Sequence, residues 1–590
     1  MENETKKSNV KVIALIAGLV CIMILCAVGA ILLIGNKASD SERFEAYIDN
    51  LFMEDVVGNT INLHYTLARP EDYGITDYEV TLGDYSTDDE DESYKELEAM
   101  RKELLKFDRE KLTDEQRLTY DILLDSIELS LSVTDLTYYD EWLGVISGYQ
   151  AQLPVILAEY TFRTEKDIQD YLELISQIDE MYEEVIVFEE KKSEAGLFMA
   201  DYVADEVIAQ CEEFIADPEE NYMLEIFEDK IEEFEGLTKE KKEEYIQENY
   251  EIITTQVVEG YQTLIDGLTS LKGTGTNELG LCYYEDGREY YEYLVRVKTG
   301  SDESVKRLQR KVDSFMNDRM RLIQDVIMKD PMIYYDFVDY EYEMRDPKEI
   351  VEDLKDKIEE DFPKPPAVDY TIKYVHPSME EHMSPAFYLT TPIDDLQNNL
   401  IYINAQKNTE DTNLYSTLAH EGYPGHLYQN AYTNSGDMPL IRSLMSYNGY
   451  SEGWATYVEF EYSYDYMGMS EGLADVASTN TALSLGLYAY ADMGVHYDGW
   501  DRDDLADYLA EFGIEGEDVV DDVFNALVEE PANYLSYFVG YLQFVELRDM
   551  ARKELGRHFD TKEFHKFLLE TGPAPFYIIE NHMEEWMKEQ

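Results

Sequence analysis

The heptapeptide His420-Glu421-Gly422-Tyr423-Pro424-Gly425-His426 holds two of the chain's nine histidines and follows a helical-looking run, Asn413–Ala419. His-Glu followed closely by His is the core of a zinc hydrolase site. Two imidazoles hold the ion and the carboxylate works on its water. The usual spacing, i and i+4, leaves the two side chains about 40° out of line on a helix. Here the spacing is i and i+6, which is about 240° around and about 9 Å along the axis. A straight helix cannot put both rings on one ion. The sequence supplies a break. Pro424 lacks the amide donor and clashes with the carbonyl four residues back, that of His420. Gly422 and Gly425 tolerate unusual dihedrals on either side. The helix is therefore expected to end or kink inside the motif, so that His426 swings back toward His420. A helix end with two incidental histidines is the competing reading.

Moving outward, Tyr450-Ser-Glu452-Gly-Trp-Ala-Thr456-Tyr-Val-Glu459 places Glu452 26 residues after His426. Glu452, Thr456 and Glu459 share one helical face. A ligand Glu on a second helix completes a two-His-plus-Glu zinc site. The competing reading is an acidic, solvated helix face. Upstream, Pro363, Pro365 and Pro366 interrupt the chain. Tyr370–Val375, Ala386–Thr391 and Asn399–Asn404 then read as three short strands, rich in β-branched and aromatic residues. Ser41–Leu268 is mostly helical, with apolar residues at three- and four-residue spacing in Ser93–Phe107, Glu165–Phe188, Tyr202–Ile215 and Lys239–Ile265. Ser301–Met328, Asp346–Asp361 and the chain beyond Asn413 are helical too. The acidic run Thr87–Glu92 reads as a loop or a solvated helix start and does not match an EF-hand loop. Lys272–Asn277 lacks the phosphate-loop pattern and reads as a connection. No internal repeat is present. The fold class is mainly α, a large helical domain with a small β-sheet next to the zinc-site helix.

Charge and the first residues address location. There are 48 Lys+Arg against 126 Asp+Glu, a net charge of −78. Nucleic acid is excluded as a partner, and so is docking of the bulk of the chain on anionic headgroups. With 44% hydrophobic and 13% aromatic residues, the chain has ample material for a core. Val12–Gly35 is 24 residues without a charge or proline, about 36 Å of helix against a bilayer core of about 30 Å. Lys6, Lys7 and Lys11 precede it, which puts the N-terminus in the cytoplasm. The apolar run exceeds that of a cleaved signal peptide. Cys21 and Cys26 lie in the run, but bulky residues precede each where lipoprotein processing needs small ones. The expectation is a cytoplasmic segment 1–11, a single-pass signal anchor 12–35 in the cell membrane, and an extracellular domain 36–590. That domain divides into a mostly helical part, 41–366, and a catalytic part, 367–590. Cys211 and Cys282 either pair or remain buried thiols.

His-Glu-Gly-x-Pro-Gly-His followed by Glu-Gly-Trp-Ala-x-Tyr-x-Glu resembles the bacterial domain of unknown function 885 family, which is similar to gluzincin metallopeptidases. Asn62–Leu67 with Pro70 and Tyr73–Ile75, Asp492–Trp500 with His496, and Pro531–Gly540 with Glu546–Arg548 resemble further segments of that family. Phe564-His565 and Gly572 follow in order. The resemblance covers residues 41–590. Leu427 stands where the family often has a second His, and Ala532-Asn533 stand where it has Gly-Gln.

The apolar run puts the protein at a membrane, and the motif spacing together with the resemblance, which implies a metallohydrolase, gives the expectation of a peptidase with one Zn²⁺ per chain, held by His420, His426 and Glu452, and Glu421 as general base. Glu459 is a candidate acceptor for a ligand His ring proton. His496 and Tyr537 are candidates for stabilising an oxyanion, although Tyr537 is one of 49 tyrosines. Arg548 either binds a substrate carboxylate or pairs with a nearby acid, the second being preferred. The strand Leu400–Asn404, with Tyr402 and Asn404, is a candidate for binding an extended peptide by strand addition. His64 and His565 read as structural. The substrate is expected to be a short peptide, cleaved in carboxypeptidase-like or dipeptidase-like fashion. Two other readings stay open, a metal-free surface protein that binds peptides or an envelope polymer, and a metallohydrolase of non-peptide amides or esters.

Overall fold

Apolar residues at helical spacing produce long helices on both sides of the Pro363–Pro366 break. A computed structural model of the chain describes residues 38–590, apart from 87–89, 341, 343, 378–379, 381–383 and 409–413. The expected membrane span and the cytoplasmic segment before it lie outside the described residues. Among the described residues no helix is long and apolar enough to cross a membrane.

Local chemistry sets the helix ends. Ser39 caps Asp40–Asp55 by accepting from the amide of Glu42, whose carboxylate returns to the Ser39 amide. The run expected as one helix over Glu165–Phe188 is two, Glu165–Ile175 and Ile178–Ala195. The break falls at Gln177, whose side chain donates to the Val80 carbonyl at 2.9 Å and accepts from the Leu82 amide at 3.3 Å. The run from Lys239 is continuous to Leu271 through a π-helical turn at Ile253–Val257.

The sheet has three strands, β1 (Tyr370–Tyr374), β2 (Ala386–Leu389) and β3 (Asn399–Ile403), in the order β1-β3-β2. β3 runs parallel to β1 and antiparallel to β2. This overturns one expectation. β3 is hydrogen-bonded on both sides, so a peptide cannot add to it. Among the described residues, the strand next to the motif helix that has a neighbour on one side only is β2.

Three of the buried clusters among the described residues are the most extensive. One lies within the N-terminal helices around Leu172, Val185 and Tyr261. A second, around Phe44, Phe52 and Tyr120, reaches Ile441. The main core joins Val305, Val312 and Met316 to Tyr415, Trp454 and Tyr541, and so draws on residues before and after the proline break.

Candidate metal centre

The motif breaks where its one proline and two glycines dictate. The first helix, Leu414–Glu421, ends one residue after His420, and a second helix, His426–Asn434, starts at His426. Between them the Tyr423–Pro424 peptide is cis, and the Gly425 amide donates to the Ala419 carbonyl at 2.9 Å. A Cβ on Gly425 would sit 1.7 Å from the His420 carbonyl oxygen, so no larger residue fits there. The Trp454 indole N–H donates to the Pro424 carbonyl at 2.8 Å, bolting the turn to the helix Asn448–Val458 that carries Glu452. That helix in turn lies against Asn533–Leu555, backbone to backbone. A Cβ on Gly453 would come 2.4 Å from the Gly540 carbonyl carbon.

Three ligand atoms converge as a result. His420 Nε2 and His426 Nε2 lie 3.5 and 3.4 Å from the same oxygen, Glu452 Oε2. One atom from each of the three residues falls within 4.8 Å of the others. Arms of about 2.0–2.1 Å at a tetrahedral angle set ligand atoms about 3.3–3.4 Å apart, so the donor set fits a zinc ion. With a proton on Nδ1, His420 donates to Glu459 Oε2 at 3.1 Å, and its Nε2 is the nitrogen turned toward Glu452.

The electrostatics point the same way. Burial alone would lower the His420 pKa, but Glu452, Glu459 and Glu421 raise it well above the usual histidine value. Burial would raise the Glu452 carboxyl, yet His426 and His420 hold it far below its usual range. Burial raises the pKa of Glu421, although His420 and His426 pull the other way. Three carboxylates crowd two imidazoles in a largely buried place, an excess of negative charge that a divalent cation offsets.

Glu421 is buried, and its Oε2 accepts from the Tyr388 amide of β2 at 2.9 Å. Sequence reading missed this contact, because a backbone amide leaves no side-chain signature. The Tyr388 hydroxyl donates to Asn399 Oδ1 at 2.8 Å and accepts from Asn430 Nδ2 at 2.9 Å, tying β2 to the helix of His426. Asn430, four residues after His426 on the same face, was the available signal.

Tyr537 stands in the first turns of Asn533–Leu555 with its pKa raised by burial and then by the fields of Glu452 and Glu421. Its hydroxyl makes no hydrogen bond among the described residues, so it is free to donate.

The other expected residues are elsewhere. His496 is buried among other partners than the candidate ligands. Its Nδ1 accepts from the Leu281 amide at 3.1 Å and its Nε2–H donates to the Leu527 carbonyl at 2.8 Å. Both nitrogens are satisfied, and burial lowers its pKa to about 4, so it is a structural histidine rather than an oxyanion donor. Arg548 donates to Glu461 at 2.6 Å, and Glu461 also receives Arg319 and Tyr541 at 2.8 Å each. Of its two expected roles, Arg548 takes the ion pair. Tyr402 stacks on Phe387 and donates to Glu159, on the sheet face that packs toward the N-terminal helices. Asn404 is fully buried, donates to the Glu380 carbonyl at 2.6 Å and accepts from the Lys407 amide at 3.3 Å. Neither is placed to bind a peptide, because both are committed to the scaffold. His64 stacks on Tyr160 at 3.6 Å and accepts from the Thr161 amide. His565 stacks on Phe362 and donates to the Asp361 carbonyl at 2.8 Å. Both are structural, as expected. Cys211 and Cys282 are buried free thiols.

Two of the solved structures that match share this fold. The putative lipoprotein from Colwellia psychrerythraea is 20% identical with a TM-score of 0.79, covering 93% of this chain and 100% of that one. A putative lipoprotein of unknown function from Shewanella oneidensis is 14% identical with a TM-score of 0.64, covering 92% of this chain and 99% of that one. Comparison with curated proteins gives no match. The family described as bacterial protein of unknown function (DUF885) matches residues 70–583, which include every residue of the candidate centre, and the chain belongs to that family.

Proposed function

We propose that this protein is a membrane-anchored, extracytoplasmic zinc hydrolase that cleaves peptide bonds. The observation that carries the reading is the meeting of His420 Nε2 and His426 Nε2 on one oxygen of Glu452, at 3.5 and 3.4 Å. His420, His426 and Glu452 would hold one Zn²⁺. When bound, the ion polarises a carbonyl and lowers the pKa of water at the site toward about 7. Glu421 takes the proton from that water and returns it to the leaving amine. Its burial and the Tyr388 amide keep the carboxylate fixed between those transfers. Glu459 holds the His420 ring in the tautomer that presents Nε2. Tyr537 offers a hydroxyl to the oxyanion that develops on the substrate.

The edge of β2 beside Glu421 is the strand available for an extended peptide, in place of β3. Arg548, the cation considered for a terminal carboxylate, is held by Glu461, so the reading no longer extends to carboxypeptidase-like specificity. The apolar run at 12–35 and the lipoprotein names of the two structural neighbours support an extracytoplasmic location at the membrane. Substrates are then peptides outside the cytoplasm.

The test uses full-length protein in detergent with a synthetic peptide library. Mass spectrometry should find cleavage that vanishes on chelation and returns with Zn²⁺. Glu421→Gln should lower kcat by at least about 10²–10⁴-fold while metal analysis still finds one zinc per chain. Full activity in Glu421→Gln, or less than one zinc after metal-replete purification, would overturn the reading. Cleavage of amide or ester substrates without any peptide cleavage would reassign the substrate.

A further inference from the structure

The segment Asp492–His496 stands apart from the metal ligands, yet it grips the turn that launches the Tyr537 helix. Asp492 is fully buried, and both of its oxygens accept from the Ala532 amide, at 3.0 and 3.2 Å. The Tyr291 hydroxyl donates to the same carboxylate, and the Tyr291 ring stacks on His496 at 5.3 Å. Ala532 is the one non-glycine among the described residues with a positive φ, 63°. That conformation is disfavoured for an L-residue, so something must hold it, and the Asp492 carboxylate is what touches it. Asn533 is the next residue and the first of the helix, with Tyr537 one turn further on. Two more ties hold the same turn. His496 donates to the Leu527 carbonyl at 2.8 Å in the preceding helix. Glu530 accepts from the Ser147 amide at 2.9 Å and the Ser147 hydroxyl at 2.6 Å, reaching the N-terminal helical part. The helix is thus fixed at its start by this clamp and at its middle by the Gly453–Gly540 contact.

We propose that Asp492 and Glu530 are positioning residues that set the first turn of the helix Asn533–Leu555 and so aim the Tyr537 hydroxyl at the metal centre. This rests on the reading of Tyr537 as a donor to the reacting carbonyl. Asp492 touches no reacting atom and acts only through the Ala532 turn.

A double-mutant cycle in the full-length zinc-loaded protein tests it, using a peptide that the wild type cleaves. Asp492→Ala should lower kcat at least tenfold with KM within twofold and zinc content unchanged. In a Tyr537→Phe background the same change should cost less than threefold, since the group it aims is already gone. Ala532→Gly added to Asp492→Ala should recover most of the loss, because glycine adopts the turn without the tether. Additive losses, or full activity in Asp492→Ala, would overturn the proposal. If Asp492→Ala fails to fold, Glu530→Ala, which removes the acceptor of both Ser147 bonds, carries the same cycle.

A readout without catalysis separates this proposal from the peptidase reading. With 3-fluorotyrosine at position 537, the ¹⁹F resonance should move in Asp492→Ala or Glu530→Ala. An unmoved resonance in both overturns the clamp even if the enzyme is active. A moved resonance in a protein that cleaves nothing leaves the clamp standing and removes the peptidase reading.

Discussion

His420 turns Nδ1 to Glu459 and Nε2 to the candidate metal position, and that division is set by one hydrogen bond of 3.1 Å. Glu459→Gln keeps the shape but weakens the acceptor, so zinc affinity should fall by about 10–100-fold, read by competition with a chromophoric chelator. Unchanged affinity would show that the ring is oriented by packing alone. His496 makes a different prediction. Its folded pKa of about 4 lies below that of a free histidine. The stability it contributes is therefore complete above about pH 6.5 and is lost as pH falls toward 4, at about 1.4 kcal/mol per pH unit. His496→Gln can donate to Leu527 and accept from Leu281 without titrating. Urea unfolding at several pH values should give a shallower acid dependence for that variant than for the wild type, by about that slope. Equal slopes would mean that His496 charges in the folded state. At this scale the cluster of His420, His426 and Glu452 was legible, because His-Glu-His and Glu-Gly-Trp-Ala combine rare residue types. The role of His496 was not, since a histidine with two backbone partners and a histidine at a reaction centre look alike in a sequence.

Between elements, the site depends on how closely two helices approach. Glu452 and Tyr537 come together because Gly453 and Gly540 let Asn448–Val458 and Asn533–Leu555 touch through their backbones. Gly453→Ala puts a Cβ 2.4 Å from the Gly540 backbone, so the helices must separate. The expected cost is about 1–3 kcal/mol of stability, with weaker zinc binding as Glu452 moves away from the histidines. Denaturant melts and metal titration check both, and an unaltered zinc affinity would mean that Glu452 follows its ligands rather than its helix. The break inside the motif was legible, since Pro424 and the glycines act on their own backbone. The strand order was not. Asn399–Ile403 has the composition of any strand, and its place in the middle of the sheet follows from pairing with residues 10 to 30 positions earlier.

For the molecule as a whole, −78 formal charges repel one another across one folded body. The Debye length falls from about 20 Å at 20 mM salt to about 4 Å at 500 mM. Self-repulsion is then screened, so Tm at pH 7 should rise by several degrees between those salt concentrations in differential scanning calorimetry. A Tm that is flat or falls with NaCl would mean that the ion pairs, such as Arg548–Glu461, outweigh the repulsion. The same excess explains why acidic residues were hard to assign by type. Glu421 accepts from the Tyr388 amide, Glu452 and Glu459 face opposite nitrogens of His420, Glu461 pairs with Arg548 and Glu530 accepts from Ser147, and only these neighbours distant in sequence separate them.

The sequence by itself determined the helical class, the small sheet, the motif that must bend, and the three residues that meet at its centre. These follow from periodicity, from proline and glycine acting on their own backbone, and from residue types with few alternative uses. Only the tertiary structure decided that β2 rather than β3 faces Glu421, that Arg548 belongs to Glu461, and that Asp492 holds Ala532. Each of those is a contact between residues 30 to 90 positions apart. Such contacts are set by which buried polar groups must satisfy one another once the helices have packed, and no local pattern encodes that choice.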